Sequence, residues 1–271
     1  MSTPTVNPMA LPGTWDRVAE AYEAYITPTF LPFAADALRL AAPRRDATIL
    51  DVAAGPGTLS LLAAPRVARV HALDFAPAMV ARLQAAAASS GLTNVSAEQG
   101  DACALPYADA AFDAAFCMFG LMFVPDRARA LIELRRVLRP GGRLVVTTWP
   151  PMARMPLFHE VMGVLRRHVP GLPPDDGRAP LGELDELSDA LAAAGFRDIT
   201  VSHAAHVLPY TGDPVGTWEV MTRSNAPVAM MREALPAELW ARISEDVVAM
   251  LTERFVGAVD LPLVANLGVG S

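Results

Sequence analysis

The chain has 271 residues, 52% hydrophobic and only 19% charged: enough apolar material for a sizeable core, and too little charge for wholesale disorder. A net charge of -7 argues against a basic, phosphate-binding surface, and so against nucleic acid as a main partner. The absence of lysine excludes Schiff-base chemistry, and two isolated cysteines, Cys103 and Cys117, form no disulfide framework and fit a reducing cytoplasm.

In chain order, the polar, proline-rich residues 1–12 are expected to be flexible, with neither the charged start nor the apolar core of a signal peptide. Thr14 is placed to cap a helix running to about Ile26, with Trp15, Val18, Ala19, Tyr22 and Ile26 on one apolar face and Pro28 ending it. A second helix covers roughly Phe30 to Ala41. Strands are expected at 49–52, 69–73, 94–98, 113–118 and 143–148. The helices between them begin after Gly57, at Pro77 and at Asp126, and the last closes at Pro140-Gly141-Gly142. This alternation predicts a parallel sheet covered on both faces. The run at 114–124 (AAFCMFGLMFV) is too short to span a bilayer, and no stable membrane association is expected.

Beyond Trp149 the rhythm changes. Helices are expected at 156–168, 184–194, 218–222, 228–235 and 238–255, a loop at 170–180, and strands at 196–203 and 261–267.

The organising stretch is ILDVAAGPGTLSLLAA, residues 49–64: strand, glycine loop, helix. Glycines let backbone approach a ligand, and Asp51 at the strand tip could hold a ligand ammonium. A dinucleotide and S-adenosylmethionine compete for such a loop. The dinucleotide fingerprint wants a third glycine where this chain has Ser60. Asp74, ending the second strand, suits a ribose diol in either case, whereas Gly100-Asp101 has no role in the dinucleotide pattern.

Four stretches together carry a family resemblance: ILDVAAGPGT (49–58), VHALDFAPAMV (70–80), GDACALPYADAAFDAAFCMFGLMFVPD (100–126) and LRRVLRPGGRLVVTTW (134–149). From about Trp15 to Trp149 the chain resembles the class I S-adenosylmethionine-dependent methyltransferases, in the group that includes ubiquinone and menaquinone enzymes and many small-molecule methyltransferases of specialised metabolism. The resemblance implies an α/β, doubly wound, Rossmann-like sheet of seven mostly parallel strands, the last antiparallel. It implies one domain over 13–271, with lid helices at 13–45, a cofactor core at 46–149, and a substrate cap with C-terminal strands at 150–271. It further implies that Asp51 and the loop Ala53, Gly55, Gly57 surround the methionine portion, and that the backbone near Cys117 and Met118 holds the ammonium. Asp74 is implied to bind the ribose, Phe75 to pack on the adenine, Asp101 and the Ala102 N–H to read its edge, and Tyr22 to close from the lid.

Transfer from a sulfonium needs alignment first, and a base only where the acceptor must lose a proton. Of the five histidines, His159 and His206 are the candidate bases. No cluster has metal-ligand spacing, so no metal is expected. Trp149, Met152, Phe158 and Met162, with Trp218 and Met221, offer aromatic and methionine walls for a small, mostly apolar acceptor, aromatic or polyketide-like, methylated on oxygen. Met122 and Phe123 stand where the quinone enzymes carry polar residues. Nitrogen, carbon or halide acceptors, a protein that binds the cofactor without transferring methyl, and the choice between monomer and homodimer stay open.

Overall fold

The computed structural model describes residues 7–172 and 179–271; expectations for residues 1–6 and 173–178 lie outside the described residues. The chain opens with short helices α1 (Pro12–Asp16) and α2 (Ala19–Ala21), a π-helical turn Tyr22–Ile26, and α3 (Thr27–Ala41). It continues through β1 (Thr48–Val52), α4 (Thr58–Ala63), β2 (Arg69–Asp74), α5 (Pro77–Ser89), β3 (Val95–Gln99), β4 (Phe112–Met118), α6 (Arg127–Val137) and β5 (Leu138–Thr148). Then follow α7 (Pro156–His168), α8 (Leu184–Ala193), β6 (Thr200–Tyr210), α9 (Pro214–Ser224), α10 (Ala226–Ala234), α11 (Ala237–Arg254) and β7 (Val259–Gly270).

The seven strands form one sheet in the order β3-β2-β1-β4-β5-β7-β6, with β7 antiparallel to both neighbours, as the resemblance implies. Consecutive residues point to opposite faces, so a strand buried on both sides must be apolar throughout. Ile49, Phe116 and Val145 pack under α3 and α4, while Leu50, Cys117 and Val146 pack under α6 and α8. A separate apolar core binds α7, α9, α10 and α11 to the far ends of β6 and β7.

Four expectations are corrected. Pro28 does not end a helix: it lies in the first turn of α3, where its missing N–H costs nothing, and the chain passes into that helix through the π turn. Residues 7–12 are anchored rather than loose: Trp15 Nε1 donates to the Met9 carbonyl at 2.9 Å and Thr14 Oγ1 to that of Pro8 at 2.7 Å. The fifth strand starts at Leu138, paired with Phe112, and a bulge absorbs the glycines before pairing resumes at Arg143. The sixth strand runs over Thr200–Tyr210 instead of 196–203, because Gly195 adopts a φ of 90° and returns Phe196 onto the end of α8.

Candidate functional site

The C-terminal ends of β1, β2 and β4 frame a cleft at the point where strand order reverses, the usual ligand position in an open α/β sheet. A cavity of about 590 Å³ lies there, bordered by the loops after all three strands and, from the N-terminal segment, by Ala10, Pro12, Trp15 and Tyr22. A smaller one of about 30 Å³ shares Tyr22, Ala53, Gly55, Met118 and Phe119 with it and reaches Asp51.

The loop after β1 is wound tightly. Ala53, Gly55 and Gly57 have φ values of 57°, 55° and 98°. A Cβ on Gly57 would meet the Leu83 side chain of α5 at 2.2 Å, so that side chain packs against the turn because the position is bare. Gly55 instead borders open space, and its N–H donates to Asp74 Oδ2 at 2.8 Å. The Ala76 N–H donates to Asp74 Oδ1 at 2.9 Å, which pins the carboxylate at the cleft floor. Burial pushes Asp74 up to about 6, against the backbone N–H groups of Ala76, Gly55 and Phe75.

Asp51 is buried at the end of β1. Its Oδ2 accepts from Ser60 Oγ at 2.6 Å, and its Oδ1 has no hydrogen-bond partner among the described residues. Burial, opposed by the Ser60 hydroxyl and reinforced by Asp74, raises it to about 7. An acid left half-satisfied beside a cavity fits a cationic ligand group. Asp101 is exposed on the rim, where it accepts from the Cys103 N–H at 2.8 Å, and it borders the cavity together with Phe75 and Ala102. Burial raises the Tyr22 hydroxyl well above its ordinary range, with Asp74 adding to the shift, so the ring stays neutral.

The structure therefore brings together Tyr22, Asp51, Ala53, Gly55, Asp74, Phe75, Asp101, Ala102 and Met118. Strand alternation turns the Cys117 side chain into the core under α6, where burial pushes the thiol up to about 12, so any part Cys117 has in the site falls to its backbone. Gly57 shapes the turn without bordering the cavity.

The expected acceptor wall divides. Trp149 stacks on Phe119 at 4.2 Å between ring centroids, and Phe30 packs against both, at 4.5 Å from Phe119 and 5.4 Å from Trp149. Phe119 is held at a φ of 56° by its N–H donating to Thr147 Oγ1 at 2.9 Å. Trp218, Met221 and Met162 are corrected: they belong to the apolar core joining α7, α9, α10 and α11, with Trp218 stacked on Trp240. Phe158 packs at the seam between that core and the Phe30–Trp149 cluster, and Met152 lies on the short turn Met152–Arg154. Neither borders the cavity.

Neither candidate base reaches it. His206 pairs through Nε2 with Asp36 Oδ2 at 2.9 Å, and its ring meets Phe33 edge-on; Phe33 in turn packs on Phe119. His159 lies on α7, away from the residues bordering the cleft. Among the described residues no group of side chains could hold a metal ion, and no helix is long and apolar enough to cross a membrane.

Three features escaped the sequence reading. Phe30 and Phe119 lie far apart in the chain and meet only in the fold, while Ser60 stood out merely as a missing glycine. The Asp16 carboxylate, from α1, accepts the Ala78 N–H at 2.9 Å and ties the N-terminal segment to α5.

Comparison with known proteins agrees with this geometry. Residues 50–146 match the family described as a methyltransferase domain. An uncharacterized protein of Mycobacterium tuberculosis is 40% identical over 127 residues, 47% of this chain and 45% of that protein. The demethylmenaquinone methyltransferase of Thermus thermophilus is 47% identical over 112 residues, 41% of this chain and 49% of that enzyme. The YcgJ protein of Bacillus subtilis shares the fold, with a TM-score of 0.59 at 21% identity over 88% of this chain and 96% of its own. The chain thus spans about half the length of the curated relatives it matches. Sheet order and glycine loop thus agree with what the resemblance implies, and the family match falls on the part of the chain from β1 to β5.

Proposed function

We propose that this protein is an enzyme that transfers the methyl group of S-adenosylmethionine to a small, mostly apolar acceptor, aromatic or polyketide-like, with oxygen as the methylated atom. The observation carrying this reading is the make-up of the cleft: buried carboxylates and a glycine loop, with the rings of Tyr22, Phe30 and Phe119 bordering it and Trp149 stacked on Phe119 behind them. The cofactor supplies a methyl already activated by the positive charge on sulfur. Asp74 accepts from the ribose hydroxyls, Asp101 and the Ala102 N–H read the adenine edge, Phe75 covers its face, and Asp51 receives the ammonium. The aromatic side aligns the acceptor and excludes water.

No histidine borders the cavity among the described residues, so the protein works by alignment on an acceptor that gives up its proton to solvent before it is enclosed. Incubation with methyl-labelled S-adenosylmethionine and a panel of phenols, amines, carboxylic acids, thiols and halide tests this. Labelling of phenolic hydroxyls is expected. Tight cofactor binding with no transfer across the panel would instead mark a protein that holds the cofactor without using its methyl.

A second reading is a quinone-type acceptor methylated on carbon, favoured by the identity with the Thermus thermophilus enzyme. That identity covers less than half of this chain, and of the two apolar residues Phe123 borders the cleft while Met122 is buried beside it. The hydroxyl acceptor therefore leads.

A further inference from the structure

We propose that Ser60 is a positioning residue for the amino-acid end of the cofactor: it holds the Asp51 carboxylate so that one oxygen, Oδ1, is presented to the ammonium. The inference rests on the reading of the cleft as an S-adenosylmethionine site. Ser60 is fully buried on the inner face of α4, where a hydroxyl is costly unless it is bonded. Its bond goes to Asp51 Oδ2 at 2.6 Å, and its backbone N–H faces the same carboxylate. Oδ2 is thereby occupied, and Oδ1 is left buried, without a hydrogen-bond partner, on an acid that borders the smaller cavity.

The surroundings make this bond matter. The titratable groups facing Asp51 are Asp74 from β2, Cys117 from β4 and Tyr22 from the N-terminal segment, and none of them is a cation. Asp74 and burial both favour a protonated Asp51, while the Ser60 hydroxyl opposes them by bonding the ionised form. An ammonium needs that ionised form. Removing the hydroxyl would let the carboxyl rotate and keep its proton to higher pH.

Binding of two ligands across pH 6 to 8.5 tests the proposal, with the wild type, Ser60→Ala and Ser60→Thr compared calorimetrically. S-adenosylhomocysteine carries the ammonium; 5′-methylthioadenosine has the same nucleoside without it. In the wild type, affinity for S-adenosylhomocysteine should begin to fall near neutrality, while affinity for methylthioadenosine should fall only toward pH 6, where Asp74 takes up its proton. Ser60→Ala should weaken S-adenosylhomocysteine about tenfold at pH 7 and move the midpoint of its pH profile upward. It should leave methylthioadenosine unchanged, and Ser60→Thr should restore the wild-type profile. Equal losses for both ligands, or an unmoved midpoint, overturn the proposal. If Ser60→Ala does not fold, the wild-type contrast between the ligands decides alone, and the same profile for both rejects the idea. A wild type that binds neither ligand overturns the cofactor reading itself, a result distinct from the other outcomes.

Discussion

The two sides of the cleft are held together by different physics. Where β1 and β2 end, the wall is backbone and carboxylate: Gly55 and Ala76 fix Asp74, and Ser60 fixes Asp51, all within the span from 51 to 76. The aromatic side, Phe30 and Phe119 with Trp149 stacked behind, comes from three distant parts of the chain and is held by ring packing and by the Phe119 N–H, which donates to both the carbonyl and Oγ1 of Thr147. The first side is a local construction, resting on turns that few residue types can make. The second is a tertiary construction, in which many apolar residues could serve and only their meeting matters.

The largest expected effect would sharpen this contrast by removing a residue that belongs to neither wall. Trp218→Ala should destabilise the protein by about 3–5 kcal/mol through the cavity left in the helical core. Cofactor affinity of the folded fraction should not change, as denaturant unfolding and calorimetry would show; a loss of affinity would return Trp218 to the cleft. Next, Asp74→Ala removes the acceptor for two backbone N–H groups and the partner proposed for the ribose. Cofactor binding should weaken about a hundredfold, roughly 3 kcal/mol, and Asp101→Ala on the exposed rim should cost less. Equal losses would break the distinction between a buried floor and an open edge.

The third expectation concerns pH. Folded Asp51 and Asp74 sit near about 7 and about 6, above the ordinary carboxylate range, so the folded protein binds more protons than the unfolded chain between about pH 4 and 7. Their contribution to stability is therefore greatest at the acid end of that window and is lost as pH rises through the folded values. Glu133 has the opposite sign: its bonds to Arg136 hold it below the ordinary range, so its contribution is present above about pH 4.3 and is lost as pH falls through the folded value. Asp51→Asn should flatten the ligand-free melting profile between pH 5.5 and 7.5 by about 3 °C, whereas Glu133→Gln should act only on its acid limb. Scanning calorimetry in matched buffers checks both slopes.

The smallest effects are expected at the histidines. His159→Ala and His206→Ala should each change turnover less than about threefold, because neither borders the cleft. A hundredfold fall in turnover with cofactor affinity intact would restore a base and reject alignment alone.

The same contrast explains what could be read from the chain. The glycine loop and Asp74 were legible because each depends on a short stretch whose residue types are constrained by turn geometry and strand period, whereas the seven-stranded sheet with its antiparallel strand followed from the family resemblance. Trp218 and Met221 misled because an apolar residue on a helix carries no mark of which core it joins. Pro28 misled because proline is a breaker inside a helix and a starter in its first turn, and the π turn ahead of it leaves no simple pattern. Ser60 was noticed for what it was not; its hydroxyl acquires meaning only once Asp51 is seen buried beside it.

That π turn has a consequence for how the aromatic wall is timed along the chain. Tyr22 to Ile26 take one residue more per hydrogen-bonded turn than an α-helix, and an added residue advances the angular phase of everything after it by about 100°. Tyr22 opens the stretch in which the phase changes, while Phe30 and Phe33 follow it, yet Phe30 meets both Tyr22 and Phe33 edge-on. The winding fault works like a spline between two shafts, locking rings that a regular helix would have set on different bearings. Deleting a single residue between 23 and 26 would leave every side chain of the wall in the sequence and dial Phe30 away from Trp149.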